Sequence, residues 1–170
     1  MPSIEKRFAE LTRAVPIPSP WNLHEYIDAV SLHRARPITL SPMDTSMSAG
    51  TGCGTGSGLW IARRDDDIIV YDRRTSSWHA QHIVLHEIGH MLLEHDRLPT
   101  VQADLATTTV GLLLPSLSPE TIQHVLGRDA YSTRMEREAE TFADWAMVHA
   151  TTPRRPKSPL RGTFFRDLRR

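Results

Sequence analysis

The sequence predicts an α+β domain, with a small, mainly antiparallel sheet packed on one amphipathic helix and further helices beside it. Three observations carry this. Apolar residues recur at helical spacing in several separate segments. Two short runs rich in β-branched and aromatic residues, Gly58-Leu59-Trp60-Ile61-Ala62 and Ile68-Ile69-Val70-Tyr71, flank the charged stretch Arg63 to Asp67 and read as a hairpin. A chain of 170 residues, 39% hydrophobic and 24% charged, has the size and balance of one globular domain.

Taken in order, Ile4, Phe8 and Leu11 mark a short first helix that ends before Pro16 and Pro18. Ser19-Pro20 is the expected cap and first turn of a second helix, with Leu23, Ile27 and Val30 as its buried stripe and its end near Arg36, before Pro37. Pro37 to Leu40 is a short strand candidate, and the Gly, Ser and Thr of residues 46 to 58 read as loop. No phosphate-cradling pattern fits those glycines. After the hairpin the strand signals end. Thr75 or Ser76 caps a helix carrying Val84, Leu85, Ile88, Met91 and Leu92 to near His95. Arg97 to Leu114 is ambiguous between buried helix and strand. Ser118-Pro119-Glu120 is expected to open a short helix that Gly127 closes, and Ser132 or Thr133 opens a last one bearing Phe142, Trp145 and Ala146.

Charge and composition exclude several classes of function. Twenty basic and 20 acidic residues leave a formal net charge of zero, which points to no nucleic-acid or membrane partner. Charges within Met1 to Glu10 are wrong for a secretory signal, and no apolar run approaches a membrane span, so a cytoplasmic protein is expected. Cys53, between Gly52 and Gly54, is the only cysteine, which rules out an internal disulfide and a thiolate-rich metal site. Any metal must be held by histidine and carboxylate. Residues 1 to 152 form the expected domain. From Pro153 on, seven Arg and Lys against one Asp make an 18-residue basic tail, read as a solvated face although Phe164, Phe165 and Leu168 interrupt it.

The chemistry is concentrated in His86-Glu87-Ile88-Gly89-His90. Residues four apart on a helix project from nearly the same face, so His86 and His90 bring two imidazole nitrogens to one ion. Zinc held in this way polarises a substrate carbonyl and lowers the pKa of water, and Glu87 between the two histidines is the general base. Gly89 costs on the order of 1 kcal/mol relative to Ala in a helix interior, which a close backbone approach beside the metal would explain. The competing reading is a helix with two unrelated histidines among the nine in the chain. His82, one turn earlier, is read as a non-ligand because the motif already supplies two imidazoles. His79, His124 and His149 are read as structural or surface residues.

A catalytic zinc takes a third protein ligand. Glu136, Glu138 and Glu140 lie together downstream; Glu136 and Glu140 share a helix face, whereas Glu138 points about 160° away. The face-sharing pair divides into one ligand and one carboxylate that accepts from a ligand histidine's N–H. Thr133-x-x-Glu136 also fits a capping box, which would turn Glu136 back onto the helix start. Both readings of Glu136 fit these residues.

His86-Glu87-Ile88-Gly89-His90 followed by Glu136-x-x-Ala139-Glu140-x-Phe142-Ala143 resembles the ImmA/IrrE metallopeptidase family, over roughly Trp21 to His149. The resemblance implies a zincin-like, gluzincin-type fold, Zn²⁺ as cofactor, His86, His90 and Glu136 as ligands, Glu87 as catalytic base and Glu140 as the outer carboxylate. It also implies a cytoplasmic endopeptidase that cleaves a helix-turn-helix repressor and so regulates transcription. Two departures stand out: Glu140 occupies a position where that family carries Asn or Asp, and the long interval from Asp96 to Tyr131 reads as an insertion near the cleft. Strand addition of substrate at an edge strand such as Gly58 to Ala62 is expected. Tyr131 and His95 are the oxyanion-donor candidates. Two rival functions are an interaction module that keeps the zinc site with little peptidase activity, and a nucleic-acid binder acting through the tail. The second is disfavoured because no helix-turn-helix or stacking aromatics accompany the charge.

Overall fold

The computed structural model describes residues 4–43, 58–95, 122–126 and 133–152. Over these residues the chain is α+β. Helices α1 (Ile4–Ala14) and α2 (Leu23–Arg34) precede strands β1 (Ile38–Met43), β2 (Gly58–Arg63) and β3 (Asp67–Asp72). Helix α3 (Ser77–Leu92), strand β4 (Ile122–Leu126) and helix α4 (Thr133–Thr151) follow. The expectations for the Gly-rich loop with Cys53, for residues 97–114, for Tyr131 and for the basic tail lie outside the described residues.

The hairpin forms as its sequence predicts, with Leu59 opposite Val70 and Ile61 opposite Ile68. The sheet runs in the order β1-β3-β2-β4. Its β2–β3 and β2–β4 pairings are antiparallel and β1 joins β3 in parallel, so the sheet is mixed, with two of its three pairings antiparallel. Pro42 sits in β1, at the end of that order, where a missing N–H costs no ladder bond on the outer side.

Strand β4 corrects two expectations. Residues 122–126 form a strand, not the helix that Ser118-Pro119-Glu120 would open. A five-residue segment is too short to hold a helix by itself, and pairing with β2 satisfies its backbone instead, Leu126 opposite Trp60 and Val125 opposite Ile61. That pairing also places β2 between two strands. Over Trp60 to Ala62 this strand is therefore interior, its backbone taken up by β3 on one side and β4 on the other rather than open to an added peptide.

The second helix starts later than Ser19-Pro20 suggests. Asn22 is its cap, its side-chain oxygen accepting from the backbone N–H groups of His24 at 3.0 Å and Glu25 at 3.3 Å, and the Ser19-Pro20 bond is cis and outside the helix. For α3 the cap is Ser76, whose hydroxyl accepts from the His79 N–H. Helix α3 ends at Leu92, short of His95. The next residues turn away, with Glu94 at φ 57°.

Helix α3 lies against the sheet and against α4, and its side chains Val84, Leu85, Ile88 and Met91 enter one core with Trp60, Ile69, Phe142, Ala143 and Ala146. Burial of those side chains contributes roughly 1.5–3 kcal/mol for each large one, which is what holds the helix to the sheet. Helix α1 closes the far side of α4, where Phe8 meets Phe142 edge-on at 5.5 Å and Trp145 at 5.7 Å. Gly89 makes the close backbone approach that its sequence suggests. A Cβ there would lie 3.2 Å from the Cα and carbonyl of Ala139 and 3.1 Å from Phe142, so the approach is between the backbones of α3 and α4. Small residues at this crossing bring the carboxylates of α4 within reach of the histidines of α3.

One buried charge ties the sheet to these helices. Asp67, fully buried in β3, accepts from the Trp60 indole N–H at 3.1 Å and pairs with Arg34 and Arg36, each at 3.3 Å. Arg34 lies over the Trp60 ring at 5.1 Å and donates to the Met91 carbonyl at 2.8 Å, near the end of α3. Removing one member of a buried pair costs about 3–5 kcal/mol, and Arg36 retains access to water, which places Asp67→Asn at the low end of that range. For a chain of this size the expected fall in Tm is roughly 6–12 °C by thermal unfolding, and a shift under about 2 °C would show that the network contributes little.

Candidate metal centre

The histidines of α3 and the glutamates of α4 converge where the two helices cross. His86, His90 and Glu136 each offer one ligating atom, and these atoms all lie within 4.8 Å of one another, a group that could hold a metal ion. The two Nε2 atoms are 3.0 Å apart. The Glu136 carboxylate faces them, with Oε1 3.3 Å from His90 Nε2 and Oε2 3.6 Å from His86 Nε2. Glu136 therefore reaches the histidines and not the start of its own helix, which decides between the two readings left open by the Thr133-x-x-Glu136 spacing. His90 is fully buried and His86 nearly so, because the same face of α3 that carries them is pressed against α4.

The remaining ring nitrogens are held from outside. Glu140 Oε2 lies 3.1 Å from His86 Nδ1, the place expected for an outer carboxylate. His90 Nδ1 lies 2.9 Å from Nδ1 of His95. This second contact has no counterpart in the sequence, which offers His95 as one of two oxyanion-donor candidates. Both nitrogens of His95 are directed elsewhere, one to His90 and the other to Glu138 at 3.4 Å, and the ring is buried.

Glu87 is fully buried beside the pair. The start of β2 presses on it: a Cβ at Gly58 would stand 2.6 Å from Glu87 Oε1 and 2.7 Å from Ile83 Cγ2. Only a residue without a side chain fits between the sheet and that carboxylate.

The electrostatics suit a cation. Burial pulls the His90 imidazole down to about 4, helped by His86 and His95 and opposed by Glu136, so the ring is neutral near pH 7, the form that a metal requires. For His86 burial acts in the same direction, but Glu136, Glu87 and Glu140 outweigh it and its pKa is raised. Burial works to raise Glu136, yet its interactions with His86 and His90 bring it down to about 2, leaving an ionised carboxylate. Three carboxylates around two imidazoles thus make a pocket of negative charge.

His82 stands apart from this triad. Its Nε2 is 3.0 Å from Asp144 and 4.0 Å from Glu140, forming a second His-carboxylate group whose Asp144 is largely exposed. His79 pairs with Thr75 at 2.7 Å and His149 with the Trp145 carbonyl at 2.9 Å, both local helix contacts. Among the described residues no helix is long and apolar enough to cross a membrane.

No protein-family model, no curated protein and no solved structure matches the chain.

Proposed function

We propose that this chain is a zinc-dependent endopeptidase with a zincin-like, gluzincin-type site of the ImmA/IrrE kind, acting in the cytoplasm on a repressor-type DNA-binding protein. The observation that carries the reading is the convergence of His86, His90 and Glu136 within 4.8 Å, with Glu87 buried alongside. Two imidazoles and one carboxylate are the donor set that catalytic zinc takes while keeping a position open, and the surrounding negative charge suits a dication. Bound there, zinc would supply Lewis acidity toward a peptide carbonyl and a lowered pKa for water.

The chain's own residues supply the rest. Glu87 takes the proton of the attacking water and passes it to the leaving amine. Glu140 and His95 hold the outer nitrogens of the two ligand rings, so that both Nε2 lone pairs face inward. Gly58 leaves the space in which the Glu87 carboxylate stands.

Titration with zinc tests the reading. About one zinc per chain is expected, and at a free concentration near 1,000 times Kd it should stabilise the fold by about 4 kcal/mol. That corresponds to a rise in Tm of roughly 8–16 °C for a domain of this size. The loaded protein should cleave a co-expressed helix-turn-helix repressor, a chelator should stop the cleavage, and added zinc should restore it. Absence of any zinc-dependent rise in Tm would end the proposal.

A further inference from the structure

We propose that His95 and Glu138 form a positioning relay that fixes the ring of His90 with its Nε2 turned to the metal, and that Arg7 anchors the relay to the N-terminal helix. His95 Nδ1 stands 2.9 Å from His90 Nδ1, and its Nε2 stands 3.4 Å from Glu138 Oε2. Glu138 is held in turn by Arg7 of α1 at 3.2 Å and by Arg134 at 2.9 Å. One proton arrangement leaves His90 able to meet a metal. With the His95 proton on Nε2, toward Glu138, His95 Nδ1 is the acceptor, His90 donates from Nδ1, and its Nε2 lone pair faces Glu136 and His86.

The turn after α3 makes this possible. Had the helix continued, residue 95 would lie about 140° around the axis from residue 90, out of contact. Instead Leu93 caps the helix, Glu94 adopts φ 57°, and the chain folds His95 back beneath His90. The two ligand histidines are thus held by different chemistry, His86 by the half-exposed Glu140 and His90 by a buried imidazole and a partly exposed carboxylate in series.

The metal-binding consequence rests on the zinc-site reading, whereas the ring-tautomer consequence does not. Four proteins separate them: wild type, His95→Phe, His95→Asn and Glu138→Gln, each full length. Long-range ¹⁵N–¹H spectra of the metal-free protein at pH 7 report which nitrogen of His90 carries the proton, and chelator competition reports zinc affinity. His90 should carry its proton on Nδ1 in wild type. His95→Phe should lose that single tautomer and bind zinc about 10–100-fold more weakly. His95→Asn, whose amide oxygen can replace the Nδ1 acceptor, should recover most of both, and Glu138→Gln should fall between. Melting of the metal-free variants checks that each is folded, and Glu138→Gln keeps the test open if His95→Phe is not. Wild-type tautomer and affinity in His95→Phe, or equal losses in His95→Phe and His95→Asn, overturn the relay. A wild-type protein that shows the Nδ1 tautomer but takes up no zinc upholds the relay while refuting the peptidase reading.

Discussion

Glu136→Ala should release zinc, with a loss of affinity of at least about 1,000-fold, beyond the ~10–100-fold that a lost outer partner costs. The carboxylate stands 3.3 Å from His90 Nε2 and 3.6 Å from His86 Nε2, so its removal takes away the third donor and the negative charge that faces both rings. Its pKa of about 2 means that the carboxylate is ionised at any pH where the histidines can ligate, so alanine removes a charged donor in full. Glu138→Ala is the matched control, two residues along the same helix. It removes a carboxylate that touches His95, Arg7 and Arg134 but lies outside the triad, and its effect should stay within the outer-partner range. Metal content after dialysis against a chelator of known affinity reads both, and equal retention in the two variants would overturn Glu136 as the ligand.

Glu87→Gln should keep the metal and lose cleavage, by about 10²–10⁴-fold in kcat, the range that a positioned general base contributes. The substitution is nearly isosteric, which matters because the carboxylate is fully buried and packed against the start of β2. Glutamine fills that space without shifting Gly58 or Ile83, so a fall in turnover reports the lost proton acceptor rather than a displaced helix. Zinc stoichiometry and unfolding should match wild type. If the variant retains zinc and its biological output is unchanged, the metal site serves complex formation instead, and an interaction module becomes the better description.

Some of this was legible in the residues alone. The H-E-x-x-H spacing places His86 and His90 on one face because both lie within a single regular helix, where sequence distance converts directly to angle. The same conversion put Glu136 with Glu140. The hairpin from Gly58 to Tyr71 followed from two apolar runs and a charged connection, which are also local signals. Where the reading failed, the cause was non-local. Ile122–Leu126 carries no strand signal strong enough to stand by itself, and becomes a strand because β2 offers it a ladder. Gly58 to Ala62 reads as an edge for the same reason, since the missing partner lies about 60 residues further on.

What the sequence determined by itself is a helix presenting two imidazoles with a glutamate between them, a second helix presenting a pair of carboxylates, and a hairpin ahead of both. Only the tertiary structure decided that these helices cross at Gly89 and Ala139, closely enough for Glu136 to face the histidines and not its own N-terminus. It alone decided that the chain reverses at Glu94 and lays His95 against His90. Periodicity fixes directions within one element; which elements meet, and where a helix stops, depend on packing and backbone turns that no spacing along the chain encodes.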